Sequence, residues 1–368
     1  MSNIEFRKLQ RQDGAVFSHF LAEVFGGKPC DVKLYEYAHF DNPAGESIIY
    51  GAWDGEKLVG TQLSRKCFFL IDGKRTLFGH LGSTATHKDY RRQSIALRLN
   101  DLCREEAKKQ GVSLSFGFPN ENSIAIVVRS FGREKIGELP ILIDAYRIRE
   151  ILKLKRPQYS SALCSILAAI PQCFVSARSA FLKKPKGNVQ VNPVGQVDAG
   201  WDQLMERIAP EYRVIQERNA QFVRWRFLNH PIMKYKILEA RRGDKLHGYL
   251  VYVVHPWPER EEHHIPCGYV VDFLVPKTEE GRNTLHHLLY CARREMIADG
   301  AVIGTSINNM PEHFNSVFYK AFFFIAPRRI MPRPFHFTIR DESEQDAFIT
   351  KVKEMGNWYL TLADNDII

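Results

Sequence analysis

Tyr90-Arg91-Arg92-Gln93-Ser94-Ile95-Ala96 follows a predicted strand and opens a predicted helix, and this stretch decides the fold. A helix N-terminus carries unpaired backbone N–H groups and the positive end of the helix dipole. These groups can surround a diphosphate when the side chains are small enough to let it approach. Ser94 and Ala96 are small, and a serine here can also cap the helix or donate its hydroxyl to phosphate. The stretch predicts a phosphate-binding helix start at the end of a strand.

The elements around this stretch alternate in type, as expected of an α/β domain. The helix is predicted over 94–110, with Gly111 as its C-cap. Asp54-Gly55 and Asp72-Gly73 are residue pairs typical of hairpin turns. The other predicted elements of this half are strands over 48–53, 57–69, 74–86, 112–118 and 135–147, and a short helix over 122–131.

The same order of elements recurs in the second half of the chain. Tyr37-Ala-His-Phe-Asp-Asn-Pro43 is similar to Trp225-Arg-Phe-Leu-Asn-His-Pro231, and Gly55-Glu-Lys-Leu-Val-Gly60 is similar to Gly243-Asp-Lys-Leu-His-Gly248. Both pairs are 188 residues apart, which indicates an internal repeat. The predicted elements of this half are strands over 235–240, 245–254, 268–275, 301–307 and 335–339, and helices over 284–298 and 312–319.

Three motifs in the first half resemble the GNAT superfamily of acyltransferases. Arg91 and Ala96 match the ends of its Arg/Gln-x-x-Gly-x-Gly/Ala signature, although Ser94 stands where the family has Gly. Asn122-Ser-Ile-Ala125 is similar to the family's Asn-x-x-Ala/Ser helix start, and Gly132 and Gly137 fit its next turn, where Arg133 replaces an aromatic. The pairing of two such domains most resembles the tandem GNAT proteins of bacterial envelope polysaccharide clusters.

The resemblance implies an α/β (α+β) fold of two tandem GNAT-like domains, each a mixed, mostly antiparallel twisted sheet flanked by helices. It also implies that two strands, 77–86 and 112–118, splay apart to hold the pantetheine of acetyl-CoA or another acyl-CoA as a co-substrate. The residues implied to bind this cofactor are Thr84, Ala85, Thr86, Arg91, Arg92, Gln93, Ser94, Ile95, Ala96, Asn120, Asn122 and Ala125.

GNAT-type transfer needs a neutral amine, so a base or a water chain must remove its proton. His80 is the first candidate for that base because it lies on the strand beside the cleft and histidine titrates near neutral pH. Glu121 is a second candidate, and His87 is expected to be exposed to solvent. The family's usual acid, a tyrosine, is replaced by Arg129, which leaves Ser130 and Tyr146 as substitutes.

The second repeat departs further from the signature. Lys277-Thr-Glu-Glu-Gly281 stands where the phosphate loop is expected, and its adjacent carboxylates would repel a diphosphate. The proposed organisation is therefore a catalytic domain over 1–150, a helical linker over 151–200, a degenerate GNAT-like domain over 201–345, and a C-terminal helix and tail over 346–368.

Net charge, cysteine spacing and apolar segments narrow the classes of function that the protein can have. The 368 residues carry a net charge of +9 without a long basic run, so nucleic acid is not an expected partner. Seven widely spaced cysteines suggest neither a disulfide framework nor a metal site, and the N-terminus lacks a signal peptide. A cytoplasmic protein without a transmembrane segment is expected, although the apolar stretch 162–177 leaves a peripheral membrane contact open.

Three functions remain open. The first is an N-acyltransferase, expected to be an acetyltransferase, acting on a primary amine of a small molecule or sugar. The second is a FemABX-like aminoacyl transferase, against which the phosphate loop at Arg91–Ala96 argues. The third is a CoA-binding sensor or scaffold without catalytic activity, since Ser94 and the missing tyrosine depart from the family pattern.

Overall fold

The computed structural model describes residues 4–182, 185, 189–257, 264–309, 312–327, 335–343 and 346–365. Its strands are β1 Ile4–Lys8, β2 Ile48–Asp54, β3 Lys57–Ile71, β4 Lys74–Thr86, β5 Leu114–Gly117, β6 Glu134–Leu139, β7 Ile141–Ala145, β8 Gln190–Pro193, β9 Val214–Gln216, β10 Lys236–Arg242, β11 Lys245–Trp257, β12 Ile265–Leu274, β13 Ile303–Ile307, β14 Phe324–Ile325, β15 Phe335–Asp341 and β16 Trp358–Tyr359. Its α-helices are α1 Gly14–Phe25, α2 Val32–His39, α3 Ile95–Lys109, α4 Ile124–Arg129, α5 Ile148–Lys155, α6 Ser161–Phe181, α7 Gly200–Ile208, α8 Ala220–Val223, α9 Glu279–Ala298, α10 Glu312–Lys320 and α11 Asp346–Lys353.

The first of two compact units comprises Met1–Leu139, Tyr212–Ile232 and Arg333–Trp358. Its sheet runs in the order β1-β2-β3-β4-β5-β15-β6, with β9 paired to β3. Among these pairs only β4 and β5 are parallel. Helix α3 packs its buried residues Ile95 and Leu99 against this sheet. The unit is therefore a mixed, mostly antiparallel sheet flanked by helices.

The second unit comprises Pro140–Glu211, Met233–Pro332 and Tyr359–Ile368. Its sheet order is β14-β7-β13-β12-β11-β10-β8, in which β12 and β13 form the parallel pair. Helix α9 packs beside β11, with Leu285, Leu288 and Ala292 fully buried. The two sheets follow one plan, which confirms the predicted fold class.

Each unit contains one strand that the sequence analysis assigned to the other repeat. The predicted strand over 135–147 is two strands, because β6 belongs to the first sheet and β7 to the second. In return, the strand predicted at 335–339 to end the second domain is β15, which lies between β5 and β6 of the first sheet. Each unit therefore draws on both halves of the sequence, and the limits 1–150 and 201–345 stay a proposal for the extent of the repeats.

The repeat is visible in the backbone. The β2–β3 and β10–β11 hairpins turn at Gly55 and Gly243, which have φ angles of 59° and 55°. Each hairpin also carries a β-bulge at the equivalent place, between Ala52 and Trp53 in one and between Ala240 and Arg241 in the other. Because neither feature is required by the overall plan alone, their recurrence at one spacing supports a duplicated domain.

Candidate functional site: a cleft between two diverging strands

Strands β4 and β5 pair over only three residues, which opens one side of β4. The last register pair is His80 with Phe116, whereas β4 continues to Thr86. At Gly117, where β5 ends, a Cβ atom would lie 3.2 Å from the Leu81 carbonyl oxygen, so the strands are still in contact there. Beyond that contact β4 has no strand partner on its β5 side among the described residues. The backbone of residues 82–86 therefore borders the gap between the two diverging strands, which is called the cleft below.

A β-bulge lies within the open part of β4. Leu63 pairs with Gly82 and Thr61 with Ala85, so Ser83 and Thr84 face the single residue Gln62. Ser83 has a left-handed φ of 46°. The Thr61 hydroxyl donates to the Ser83 carbonyl at 2.9 Å, and the Thr84 hydroxyl donates to Gln62 Oε1 at 2.7 Å. Because Thr61 and Gln62 are each 1% exposed, the bulge is held from inside the fold.

The turn before α3 places two residues in the left-handed region. Arg92 has a φ of 64° and Ser94 a φ of 59°. These are the positions at which glycine is common in the family signature, and glycine adopts this region without steric cost. The backbone has kept the glycine conformation although the side chains have changed. The prediction that Ser94 caps the helix is wrong, because its left-handed backbone leaves the side chain without a capping bond.

Six consecutive backbone N–H groups, at residues 92–97, have no acceptor in the described part of the chain. They belong to the turn and to the first turn of α3, where orphan donors are expected. Arg92, Gln93 and Ser94 are exposed, and Ala96 is half-buried. Ile95 is 3% exposed and packs with Ala52 and Val59, so only its backbone faces the turn. This end of α3 is an accessible row of donors beside exposed arginines.

The turn is braced against the sheet. Arg91 Nε donates to the Thr86 carbonyl at 3.4 Å, and the Tyr90 hydroxyl donates to Asp54 Oδ2 at 2.7 Å. His87, expected to be exposed, is 5% exposed, because its backbone N–H bonds to β3 and its ring Nε2 lies 2.9 Å from Glu23 Oε1. The predicted residues of the loop and of Thr84–Thr86 are thus brought together at one edge of the cleft.

His80 lies at the vertex where β4 and β5 diverge. It is 2% exposed, and its ring lies 5.0 Å from that of Phe116 and 6.0 Å from that of Phe118. Arg65 Nη2 lies 3.2 Å from His80 Nδ1, and because a guanidinium can only donate, Nδ1 is the acceptor. In the neutral ring the proton is then on Nε2. Because Nδ1 is engaged in this arrangement, a base role requires the bond from Arg65 to break.

The residues predicted after β5 form the exposed start and end of α4. Asn120 Oδ1 accepts from the backbone N–H groups of Asn122 and Ser123, at 3.0 and 3.1 Å. Its side-chain oxygen therefore organises the turn. Glu121, Asn122, Ala125 and Ser130 are all exposed. Ser130 follows the last residue of α4, and its backbone N–H donates to the Ile126 carbonyl.

Arg129, which replaces the family's tyrosine, and Tyr146, a suggested substitute for that tyrosine, have different environments. Arg129, at the usual tyrosine position, is exposed on α4. Tyr146, named as a substitute, belongs to the second unit, where its N–H donates to Val302 and burial raises the pKa of its hydroxyl well above the usual value. Tyr146 is therefore assigned to the core of the second unit and not to the cleft of the first.

A buried charge cluster behind β5 was not found from the sequence. Glu342 accepts from Arg340 Nε at 2.6 Å, from Arg104 Nε at 2.9 Å and from the Ser115 hydroxyl at 3.0 Å. Arg133 lies 3% exposed beside this group, and burial lowers the pKa of its guanidinium to about 9. The signal in the sequence was Arg133 itself, since a cation in place of a buried aromatic requires partners.

Two of the Arg133 nitrogens bond to Thr338, at 3.1 and 3.2 Å. The third, Nη1, is buried without an acceptor in the described part of the chain. A Cβ atom on Gly117 would lie 3.9 Å from Arg133 Nη2, so the guanidinium reaches the end of β5. Arg133 supports the closed end of the cleft with a positive charge.

The equivalent place in the second unit is filled by the chain itself. Thr361 pairs with Asn308 just after β13, and its hydroxyl donates to Asp272 Oδ1 on β12 at 2.7 Å. Helix α9 begins at Glu279, five residues before its predicted start, because the Thr278 side chain accepts from the Gly281 N–H at 3.0 Å. In the second unit the chain therefore fills the strand edge and caps one N–H at the helix start, whereas the first unit has neither contact among its described residues.

These features place the open cleft and the accessible helix start together in the first unit. Residues 5–134 match the family model of the acetyltransferase (GNAT) domain. The matched residues include strands β4 and β5, the turn before α3, and helix α4. It supports the GNAT superfamily that the sequence motifs resemble. No curated protein matches the sequence.

Solved structures show the GNAT-like fold over nearly the whole chain. A probable N-acyltransferase of unknown function from Enterococcus faecalis V583 has a TM-score of 0.63 at 13% identity, covering 94% of this chain and 74% of that one. A GCN5-related N-acetyltransferase from Anabaena variabilis has a TM-score of 0.62 at 11% identity, covering 92% and 73%. Saccharomyces cerevisiae N-myristoyltransferase with bound myristoyl-CoA has a TM-score of 0.64 at 10% identity, covering 92% and 83%. At these identities the likeness concerns the fold alone.

Proposed function

We propose that the protein is an acyl-CoA-dependent N-acyltransferase whose working site is the cleft of the first unit. The observation that carries the proposal is the row of six unbonded N–H groups at residues 92–97, next to the open edge of β4. Backbone donors at a helix N-terminus are suited to a diphosphate, and the adjacent Arg91 and Arg92 add positive charge. A free strand edge is suited to an extended chain carrying amides, such as pantetheine.

Each predicted binding residue has a role in this proposal. The N–H groups of Arg92 to Ala96, including Gln93 and Ser94, bind the diphosphate. The backbone of Thr84, Ala85 and Thr86 pairs with pantetheine, although the Thr86 carbonyl already accepts from Arg91. Asn120, Asn122 and Ala125, at the start of α4, contact the arm from the other side.

The reaction forms a C–N bond and breaks a C–S bond. The neutral amine nitrogen attacks the thioester carbonyl carbon, the CoA thiolate leaves, and the amine loses one proton. Negative charge builds on the carbonyl oxygen, which needs a fixed donor. His80 at the vertex can accept the amine proton only after Arg65 releases Nδ1. Glu121 and Ser130 remain proposed proton-transfer groups at the rim.

Acetyl is the proposed acyl group, and a primary amine of a small molecule or sugar is the proposed acceptor. The acceptor proposal rests on the resemblance to tandem GNAT proteins of polysaccharide clusters. A longer acyl chain is the alternative for the donor, because the yeast protein of similar fold binds myristoyl-CoA. We further propose a cytoplasmic location, where acyl-CoA is available.

A CoA-binding regulator without catalytic activity is the second candidate. Two observations favour it: Arg129 occupies the usual tyrosine position, and His80 Nδ1 is engaged by Arg65. Both candidates require acyl-CoA binding, so they differ only in turnover.

Calorimetric titration with CoA, acetyl-CoA and myristoyl-CoA tests the site. Arg92→Glu is expected to weaken binding more than about tenfold, because it places a carboxylate beside the phosphates. Lys109→Glu, the same charge change at the exposed far end of α3, is the matched control and is expected to bind normally. Absence of binding by the unaltered protein would refute the proposed cleft.

Thiol release with a panel of amines then separates the two candidates. Release that depends on the amine supports the transferase, and binding without release supports the regulator. An assay with aminoacyl-tRNA completes the set, because transfer from tRNA without response to acyl-CoA would identify a FemABX-like enzyme instead.

A further inference from the structure

Helix α6 exposes a continuous apolar stripe. Ile166 and Ile170 are each 72% exposed and Phe174 is 71% exposed, the highest values among the large apolar side chains described. Leu167 and Leu163 extend the stripe at 47% and 39%. At about 100° of rotation per residue these five side chains fall within an arc of about 100°. Together they form an exposed apolar surface, whose contact with water is unfavourable.

The opposite face of α6 packs against the rest of the second unit, to which the helix belongs. Cys164 and Ala168 on this face are 0% and 3% exposed. Gln172 accepts from the Ile148 N–H at 2.9 Å and donates to the Tyr146 carbonyl at 3.0 Å. Arg178 donates to the Ala145 carbonyl at 2.7 Å and forms an ion pair with Asp144. The polar anchors hold the helix with its largest apolar side chains outward.

The segment that contains α6 also concentrates positive charge. Residues 147–186 hold nine Lys or Arg and a single Glu, a formal charge of +8 in a chain whose net charge is +9. Helix α5, which packs against α6, carries exposed cations along its length and at both ends. The described exposed cations here are Arg147, Arg149, Lys153, Lys155 and Arg156. A surface that is both apolar and strongly cationic is complementary to an anionic lipid bilayer.

We propose that α5 and α6 form a monotopic docking surface for anionic membranes, with the stripe Leu163–Phe174 inserted among the lipids. The described part of the chain contains one helix long and apolar enough to cross a membrane, Ser161–Ala180. Spanning would expose Gln172 and Arg178 to hydrocarbon and break their bonds to the second unit. Lying in the interface keeps those bonds and buries the stripe alone, which is why docking is the favoured geometry.

Vesicle co-sedimentation of the full chain tests this surface. Binding to phosphatidylcholine vesicles with about one third phosphatidylglycerol is expected, with much weaker binding to phosphatidylcholine alone. The triple change Ile166→Ser, Ile170→Ser and Phe174→Ser is expected to reduce partitioning at least about 100-fold. The matched control is Val16→Ser, Phe25→Ser and Ile232→Ser, which removes apolar side chains 41–48% exposed elsewhere and should bind as the unaltered protein does.

The charge contribution is measured separately. Lys153→Glu, Lys155→Glu and Arg156→Glu together should abolish the preference for anionic vesicles, and salt should weaken binding of the unaltered protein. Circular dichroism of each variant shows whether the fold is retained. If the stripe variant folds and binds vesicles as well as the control variant, the proposal is wrong.

Other occupants of the surface give different results. Dimers that dissociate in the stripe variant, with no vesicle binding, would assign the stripe to a second copy of the chain. Binding to RNA or DNA without vesicle binding would assign the charge to nucleic acid. Phe174→Trp, read by fluorescence with brominated lipids, distinguishes depth: quenching by shallow bromines supports docking, and stronger quenching at the bilayer centre overturns it. Each of these three contrary results refutes monotopic docking.

Discussion

Ser94→Gly is expected to stabilise the protein, although it removes a side chain. Ser94 has a φ of 59°, a conformation that costs a residue with a Cβ about 1–2 kcal/mol. Glycine avoids this cost but loses about 0.5–1 kcal/mol more conformational entropy on folding. The serine hydroxyl makes no capping bond, so no hydrogen bond is lost. The net gain is about 0.5–1 kcal/mol, or a rise of about 1–4 °C in Tm for a domain of this size.

Urea and thermal unfolding followed by circular dichroism measure this change. Ser123→Gly is the matched control, because Ser123 also precedes a helix but has a φ of −105°. Its hydroxyl donates to the Asn120 carbonyl at 3.2 Å, so the control should lose about 0.5–1 kcal/mol. The argument also predicts that Ser94→Val destabilises, since a β-branched residue tolerates this region poorly.

Two results would refute the reasoning about the turn. One is a Ser94→Gly protein that is less stable than the original. The other is an equal loss in both glycine variants, which would mean that the backbone at Ser94 is not left-handed in solution. Acyl-CoA affinity in Ser94→Gly should be unchanged or higher, because every N–H of the row is kept. A large loss of affinity would instead show that the hydroxyl binds the phosphates.

Three further outcomes are expected. His80→Phe should lower amine-dependent thiol release at least about 100-fold while acyl-CoA affinity stays within about twofold, and unchanged release would exclude His80 from proton transfer. Glu342→Gln should destabilise the protein by about 3–5 kcal/mol in urea unfolding, because Arg340 would keep a buried charge without a carboxylate, and a loss below 1 kcal/mol would contradict the buried pair. Calorimetry should give one acyl-CoA per chain, because Thr361 fills the strand edge of the second unit, and a stoichiometry of two would show that this edge opens.

Two elements of the first unit, β4 and α3, were predictable because local signals agree there. Strand β4 has its predicted limits, and α3 lies within one residue of its predicted ends. The alternation of apolar residues, the Asp72-Gly73 turn and Gly111 all indicate the same boundaries. The motif before α3 predicted a phosphate-binding helix start, which stays a prediction, and the sequence gives no direct sign that Arg92 and Ser94 adopt left-handed backbone angles.

The strand exchange was not predictable from local pattern. Residues 135–147 were predicted as one strand because β6 and β7 follow one another with only Pro140 between them. Pro140 is the available signal, since proline cannot donate to a ladder and marks the end of strand pairing. Which sheet each strand then joins depends on contacts with residues more than 150 positions away, as in the Thr305 bond to the Leu142 carbonyl.

The burial of His87 and of Arg133 was missed for a related reason. Both are polar residues whose partners lie far along the chain, Glu23 for one and Thr338 for the other. Sequence spacing indicates helical and strand faces, but it does not show which polar side chains meet inside the fold. The positions of such residues require the tertiary fold.

The position of β15 in the first sheet has a consequence for synthesis on the ribosome. Residues 335–341 must emerge before β5 and β6 acquire the partner that joins them. The nascent amino-terminal half therefore spends most of translation with two unpaired strand edges, which are prone to aggregation. A fragment ending near residue 150 would keep that defect permanently, so attempts to isolate the first unit should supply 212–232 and 333–358 as well.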